Sequence, residues 1–368
     1  MSKIIGFIKK ETIFTIAILL AVVSCIIVPP DENFITYIDF RVLAILFCLM
    51  LLVAGLREQW IFRRLAEKLT AHVHGSMGLE LILVMLPFFS SMLITNDVAL
   101  ITFVPFALAL LKGAGLENRM IRVIVLQTIA ANLGSMLTPI GNPQNLYLYT
   151  LSGMSFGSFI LTMLPLTGLS LGLLLVIVLT GRRLPIEVKF EKADVNISKF
   201  KLIVIAILFV ICMGTVIRVI PWQISFLIVL VTGLILFRNL FGSIDYFLLG
   251  TFIGFFVFVG NMQKLPAINN LINKLVDGHE LIGSTLISQV ISNVPAAMLL
   301  SGFTDNYTAL LKGVDIGGLG TLIASMASLI SYKFYAVTPG SRKGKYVLTF
   351  TLWNIVFGVV LLAYELML

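Results

Sequence analysis

The run LELILVMLPFFSSMLITNDVALITFVPFALALL, Leu79 to Leu111, is apolar over most of its length and carries its densest polarity at Thr95, Asn96 and Asp97. Each limb holds about 15 residues, ~22 Å of helix at 1.5 Å per residue, short of the roughly 30 Å of hydrocarbon in a bilayer. The run therefore predicts a re-entrant hairpin with its tip at mid-membrane. Leu281 to Leu311 repeats the pattern around Ser292-Asn293-Val294-Pro295. Backbone amides and carbonyls freed at such tips are tolerated in lipid only where they line a protein cavity. The breaks are thus the candidate sites, and the rest of the chain is read around them.

Of 368 residues, 59% are hydrophobic and 12% charged, too little polar surface to coat a soluble globule. Apolar blocks near Thr12 to Val28, Ile38 to Leu56, Arg119 to Tyr149, Phe156 to Thr180, Phe200 to Val219, Trp222 to Phe241, Ile244 to Val259, Gly313 to Tyr335 and Tyr346 to Leu366 read as about nine spans. With the two hairpins they define an all-α polytopic membrane protein. The short alternating strands of a membrane β-barrel are not present in the pattern. The net charge of +8 is scattered loop by loop, so it implies no nucleic-acid partner. It is topological. With the N-terminus cytoplasmic and the C-terminus outside, most of the 26 Lys and Arg face the inside of a cell inner (plasma) membrane, including Arg57, Arg63, Arg64, Arg119, Arg122, Arg182, Arg183, Lys192, Arg342 and Lys343. The first apolar run continues past Cys25 through Val28 and reads as a span, not a cleaved leader. Cys25, Cys48 and Cys212 show no metal or disulfide spacing, and His72 with His74 falls short of the three or four ligands a zinc site needs.

Internal similarity organises the chain. Ile38-Asp39-Phe40 returns as Ile244-Asp245-Tyr246, and Leu65, Lys68 and Leu69 return as Leu271, Lys274 and Leu275. Ser91 with Thr95-Asn96 matches Ser288 with Ser292-Asn293. The string ALLKG at Ala109 to Gly113 recurs at Ala309 to Gly313, and Leu133-Gly134-Ser135 with Tyr149 matches Leu319-Gly320-Thr321 with Tyr335. An odd number of crossings separates the copies, so they are expected to be inverted, with broken helices meeting at the midplane. The expected units are a scaffold half with interfacial arm (1–75), a transport half (76–180, hairpin 76–112, broken span 119–149), a cytoplasmic linker (181–199), a second scaffold half (200–278) and a second transport half (279–368, hairpin 281–311, broken span 313–335). Arg57 to Leu69 is amphipathic and suits an arm lying in the interface. Gly250 and Gly254 permit close helix packing, either within the chain or at a homodimer seam.

Asn offers an acceptor oxygen and two donors, so Asn96 and Asn293 can meet a cation or a carboxylate. Helix N-termini after the breaks favour anionic groups, while freed carbonyls favour cations. Asp97 is the acid placed at a break and reads as the proton or sodium carrier, because an intramembrane acid is functional by default. The stretch Thr138-Pro139-Ile140-Gly141-Asn142-Pro143-Gln144-Asn145 is a third break. Ala324 to Ser328, with Ser325 and Ser328, is a fourth by position in the repeat. The candidate binding residues are Thr95, Asn96, Asp97, Thr138, Gly141, Asn142, Gln144, Asn145, Ser292, Asn293, Ser325 and Ser328, with sodium considered at Asn96, Asp97 and Asn142. No catalytic residue and no cofactor is expected beyond Na⁺ or H⁺ as coupling ion.

The TND and SNV tips with GNPQN between them resemble the ion transporter superfamily of divalent-anion/sodium symporters, arsenite permeases, NhaD-type sodium/proton antiporters and citrate-transporter-like permeases. The resemblance runs from Ile38 to the end of the chain. In the dicarboxylate symporters the tips read Ser-Asn-Thr and bind sodium and carboxylate together, so the resemblance gives Thr95, Asn96, Ser292 and Asn293 those roles. Asp97 and Val294 depart from that pattern. The acid leans toward the arsenite and NhaD-like branches, whose GDPPN-like element has Asp where Asn142 stands. The resemblance implies cation-coupled transport of a small anion such as a carboxylate by an elevator movement, with metalloid efflux and Na⁺/H⁺ exchange as alternatives. A passive channel is the rival from another class. An enzyme would need clustered acids or a nucleophile beside a base, which the sequence does not offer.

Overall fold

The computed structural model describes residues 11–32, 34–71, 73, 75–181, 183–184, 197–266, 276 and 278–367. His72, His74, Arg182, Lys192 and the second copy of the arm at Leu271, Lys274 and Leu275 lie outside the described residues. Every regular element among those described is helical. Six helices are long and apolar enough to cross a membrane: α2 (Phe40–Glu58), α5 (Asn96–Gly113), α8 (Phe156–Leu179), α9 (Lys199–Val216), α11 (Tyr246–Gln263) and α16 (Lys343–Met367). Shorter apolar helices are α1 (Thr12–Ile27), α4 (Ser76–Ser90), α10 (Trp222–Leu236) and α12 (Glu280–Ile291). The remaining described α-helices are α3 (Ile61–Thr70), α6 (Met120–Ser135), α7 (Pro143–Ser152), α13 (Asn293–Ser301), α14 (Tyr307–Gly317) and α15 (Met326–Ala336). The chain is a multi-pass membrane protein.

The Ile-Asp-aromatic pair has a structural origin. Asp39 caps α2 by accepting from the Val42 amide at 3.0 Å, and Asp245 caps α11 by accepting from the Leu248 amide at 2.9 Å. Gly250 and Gly254 are spent within the chain, on α1. A Cβ at Gly254 would lie 2.9 Å from the Ala17 carbonyl, and one at Gly250 2.6 Å from the Phe14 ring. After α2, Trp60 turns the chain at φ 55° into α3, whose Phe62 packs edge-on against Phe103 of α5. Leu65 and Leu69 stay exposed, as an interfacial arm requires.

The two broken runs are helix–break–helix, with differences from expectation. The outer limb α5 has 18 residues and is longer than half a run. In the second run α13 ends at Ser301, and the next helix already begins at Tyr307 instead of Gly313. ALLKG therefore occupies the end of α5 in one place and the first turns of α14 in the other, so its recurrence is not a structural equivalence. The contact that Gly134 makes is matched three residues before Gly320, nearly one helical turn: Gly134 presses on Phe88 and Ser91 beside α4, and Gly317 on Thr285 and Ser288 of α12. At the far end of α4, buried Glu80 accepts from Arg122 at 2.6 Å and Arg119 at 3.2 Å, tying α4 to α6, while Arg122 also donates to the Ile177 carbonyl of α8.

Candidate functional site

Each tip is fastened to a break by its own backbone. The Asn96 amide donates to the Gly141 carbonyl at 3.0 Å, and the Asn293 amide to the Ala324 carbonyl at 2.9 Å. In both tips the Asn side chain then caps the next residue, Asn96 Oδ1 accepting from Asp97 N and Asn293 Oδ1 from Val294 N. Ser292 reaches this arrangement at φ 75°, a left-handed conformation that L-residues adopt at a cost, and its hydroxyl donates to the Ala324 carbonyl.

The GNPQN break is built by sterics and capping. A side chain at Gly141 would sit 2.0 Å from the Ser135 carbonyl, so the chain can fold back only with glycine there. Asn142 then caps α7 by accepting from the Asn145 amide at 2.9 Å, with Pro143 at the first helical position. Asn145 Nδ2 donates to the carbonyls of Met136 and Thr138, and the Thr138 hydroxyl donates to Met92 O on the first hairpin. Thr138 thus ties the break to the chain at Met92.

A buried network joins these parts. Asn96 Nδ2 donates to Asn132 Oδ1 at 2.9 Å, and Ser325 Oγ donates to the same oxygen at 3.2 Å. Asn142 Nδ2 reaches Ser135 Oγ at 3.2 Å and Asp315 Oδ1 at 3.3 Å, while Gln144 Nε2 reaches that Oδ1 at 3.1 Å. Tyr147 and Ser301 share a hydroxyl–hydroxyl bond of 2.7 Å between α7 and α13. Among the expected residues, Asn96, Asn142, Gln144 and Ser325 meet in this centre. Asn293 and Ser292 reach it through Ala324, next to Ser325. Ser328 is buried with its hydroxyl unpartnered.

Asp97 and Thr95 point elsewhere. They line a cavity of about 250 Å³ together with Asn142, Asp245 and Arg57. That cavity shares Ala54, Arg57, Ile101 and Ser243 with a wider one of about 640 Å³ beside Trp60, Phe62 and Arg63. Asn132, Ser135, Tyr147, Ser301 and above all Asp315 were not expected. Asp315 was hidden inside an apolar run, yet an acid within a run of that length is itself a signal. A constant spacing was another: Asn132 and Asp315, Gly134 and Gly317, and Asn142 and Ser325 are all 183 positions apart. Among the described residues no group of three or more His, Cys, Asp or Glu is placed to hold a metal ion.

Broken apolar helices whose breaks converge on a buried polar centre, in a multi-pass membrane protein, define a transport protein by class. Residues 4–315 match the citrate transporter family, CitMHS, and the chain belongs to it. It is 31% identical over 360 residues to an uncharacterized transporter of Methanocaldococcus jannaschii, covering 95% of each chain. It is 29% identical over 335 residues to the inner membrane protein YbiR of Escherichia coli, covering 88% of each. A silicon efflux transporter of rice, Oryza sativa subsp. japonica, is 33% identical over 149 residues, which is 40% of this chain and 30% of that one. The chain is accordingly a secondary transporter.

Proposed function

We propose that this protein is a cation-coupled transporter of a small anion such as a carboxylate, built from two inverted repeats and working by an elevator movement. The observation that carries the reading is the shared acceptor Asn132 Oδ1, which binds the first tip through Asn96 and the second half's break through Ser325. The matching tip-to-break bonds of Asn96 and Asn293 support the repeat. The helices α4 to α8 and α12 to α16 form the moving unit, and α2 with α9 to α11 the scaffold. The tips act as re-entrant hairpins. The chain lies in the cell inner membrane with its N-terminus cytoplasmic, following the basic loops.

Helices α5, α7, α13 and α15 all begin at the breaks, and their N-terminal ends favour an anion. The paired cavities between hairpin and scaffold supply a route past Arg57 to the first tip. A second reading, efflux of a small neutral hydroxylated solute, draws on the centre's makeup: no Lys or Arg takes part in its hydrogen bonds among the described residues. The name of the rice relative points the same way. Purified protein in proteoliposomes, offered carboxylates, arsenite and silicic acid against imposed Na⁺ and H⁺ gradients, separates these. Uptake of an anion above its own gradient, collapsing when the ion gradient is dissipated, is expected. Flux that follows only the solute's own gradient would make the protein a channel.

A further inference from the structure

The carboxyl group of Asp315 is held in three unfavourable ways at once. Its residue is only 5% exposed. It stands in the last turn of α14, where the helix dipole already presents partial negative charge. Its Oδ1 receives both amide donors, from Asn142 and Gln144, while Oδ2 is buried with no hydrogen-bond partner. An unpaired buried carboxylate oxygen is among the costliest groups a fold can hold, unless a positive charge comes to it.

A second bare oxygen belongs to the same network. Asn145 Nδ2 donates to two carbonyls, Met136 O and Thr138 O, and this fixes which end of the amide is nitrogen. Its Oδ1 is left buried and unpartnered. Asn145 connects to Asp315 through Asn142, whose Oδ1 accepts from the Asn145 amide and whose Nδ2 donates to Asp315. The amide oxygens of Asn96 and Asn142 are, by contrast, already engaged by backbone N–H groups. The expected sodium ligands Asn96 and Asn142 thus each spend one lone pair on the backbone, whereas Asp315 Oδ2 and Asn145 Oδ1 keep both free.

Resting on the reading of the chain as cation-coupled, we propose that Asp315 and Asn145 hold a sodium ion between the C-terminal end of α14 and the break joining α6 to α7. A carboxylate and an amide oxygen are hard ligands suited to such an ion, and carbonyls freed at broken-helix ends are its usual remaining partners. Asn142 and Gln144 orient the carboxylate by occupying Oδ1, leaving Oδ2 for the ion. Asp315 is contributed by the second half of the chain and Asn145 by the first, so the ion joins the two halves.

The test is sodium binding by the full chain in detergent, without solute or gradient. Thermal unfolding is followed by tryptophan fluorescence in NaCl against KCl and choline chloride at equal ionic strength. Wild type should show a saturable, sodium-specific rise in Tm. Asp315→Asn should lose it, and Asn145→Ala should raise the half-saturating sodium concentration by about tenfold. Absence of a sodium-specific rise in wild type, or its survival in Asp315→Asn, overturns the proposal. Should Asp315→Asn not fold, unchanged half-saturation in Asn145→Ala overturns it equally. Sodium-driven flux that persists in Asp315→Asn would sink this site and leave the transport reading standing. Sodium binding in a protein that shows no coupled flux would sink the transport reading alone.

Discussion

Replacing Asn132 by alanine removes the acceptor that two buried donors share. Asn96 Nδ2 and Ser325 Oγ both end on Asn132 Oδ1, and the residues that carry them are 4% and 2% exposed. A buried donor left unmade costs about 1 to 3 kcal/mol. Two are stranded in Asn132→Ala, but Asn132 Nδ2, itself buried and unpartnered, leaves with the side chain and relieves one such penalty. The net loss is therefore about 1 to 3 kcal/mol, or ~5- to 150-fold in an equilibrium that depends on the intact centre. Ser325→Ala is the control. It deletes donor and hydroxyl together and leaves Oδ1 bonded to Asn96, so its loss should stay below about 1 kcal/mol. Thermal unfolding of the purified variants and the apparent KM in proteoliposomes read both numbers. If Asn132→Ala loses no more than Ser325→Ala, Asn132 is not the bridge between the halves.

Asp97→Asn should lower cation-driven flux at least about tenfold, with folded protein still in the membrane, because the acid lines the cavity beside the first tip; undiminished driven flux would remove Asp97 from coupling. Gly134→Ala forces a Cβ to within 2.0 Å of the Phe88 carbonyl and Gly317→Ala to within 2.7 Å of the Ser288 Cβ, so the first should destabilise more, by about 3 kcal/mol against about 1 to 2. Equal melting temperatures for the two variants would contradict this packing. A single cysteine at Ser341, in a background without Cys25, Cys48 and Cys212, should be shielded from impermeant reagents in intact cells; labelling there would invert the orientation.

The sequence was informative where polarity interrupts apolarity, since such an interruption in lipid must be a helix break. Thr95-Asn96-Asp97, Ser292-Asn293 and Gly141-Asn142-Pro143 all mark helix breaks for that reason, the following helices starting at Asn96, Asn293 and Pro143. The amphipathic arm was readable from its periodicity, although α2 runs on to Glu58 and the arm's helix starts only at Ile61. Asp315 escaped because the Leu-Gly-Ser and Leu-Gly-Thr match set the second half three residues out of register. That shift keeps nearly the same helix face, so nothing in the apolar pattern betrays it. The 183-residue spacing that pairs Asn132 with Asp315 emerges from backbone contacts, such as those of Asn96 with Gly141 and Asn293 with Ala324, which no string comparison reports. The sequence marks Asn145 as a candidate ligand, but which end of its amide is bare is decided by two carbonyls folded back against it.

The central claim is that both tips serve one site. A double-mutant cycle on Asn96→Ala and Asn293→Ala, read as apparent KM for the transported solute or ion, tests it directly. Each single change should weaken binding by about 1 to 3 kcal/mol, and the double variant should depart from the sum by more than about 0.5 kcal/mol, because groups that share a bound species are coupled. Losses that add to within roughly 0.3 to 0.5 kcal/mol would assign the tips to separate sites and contradict the account.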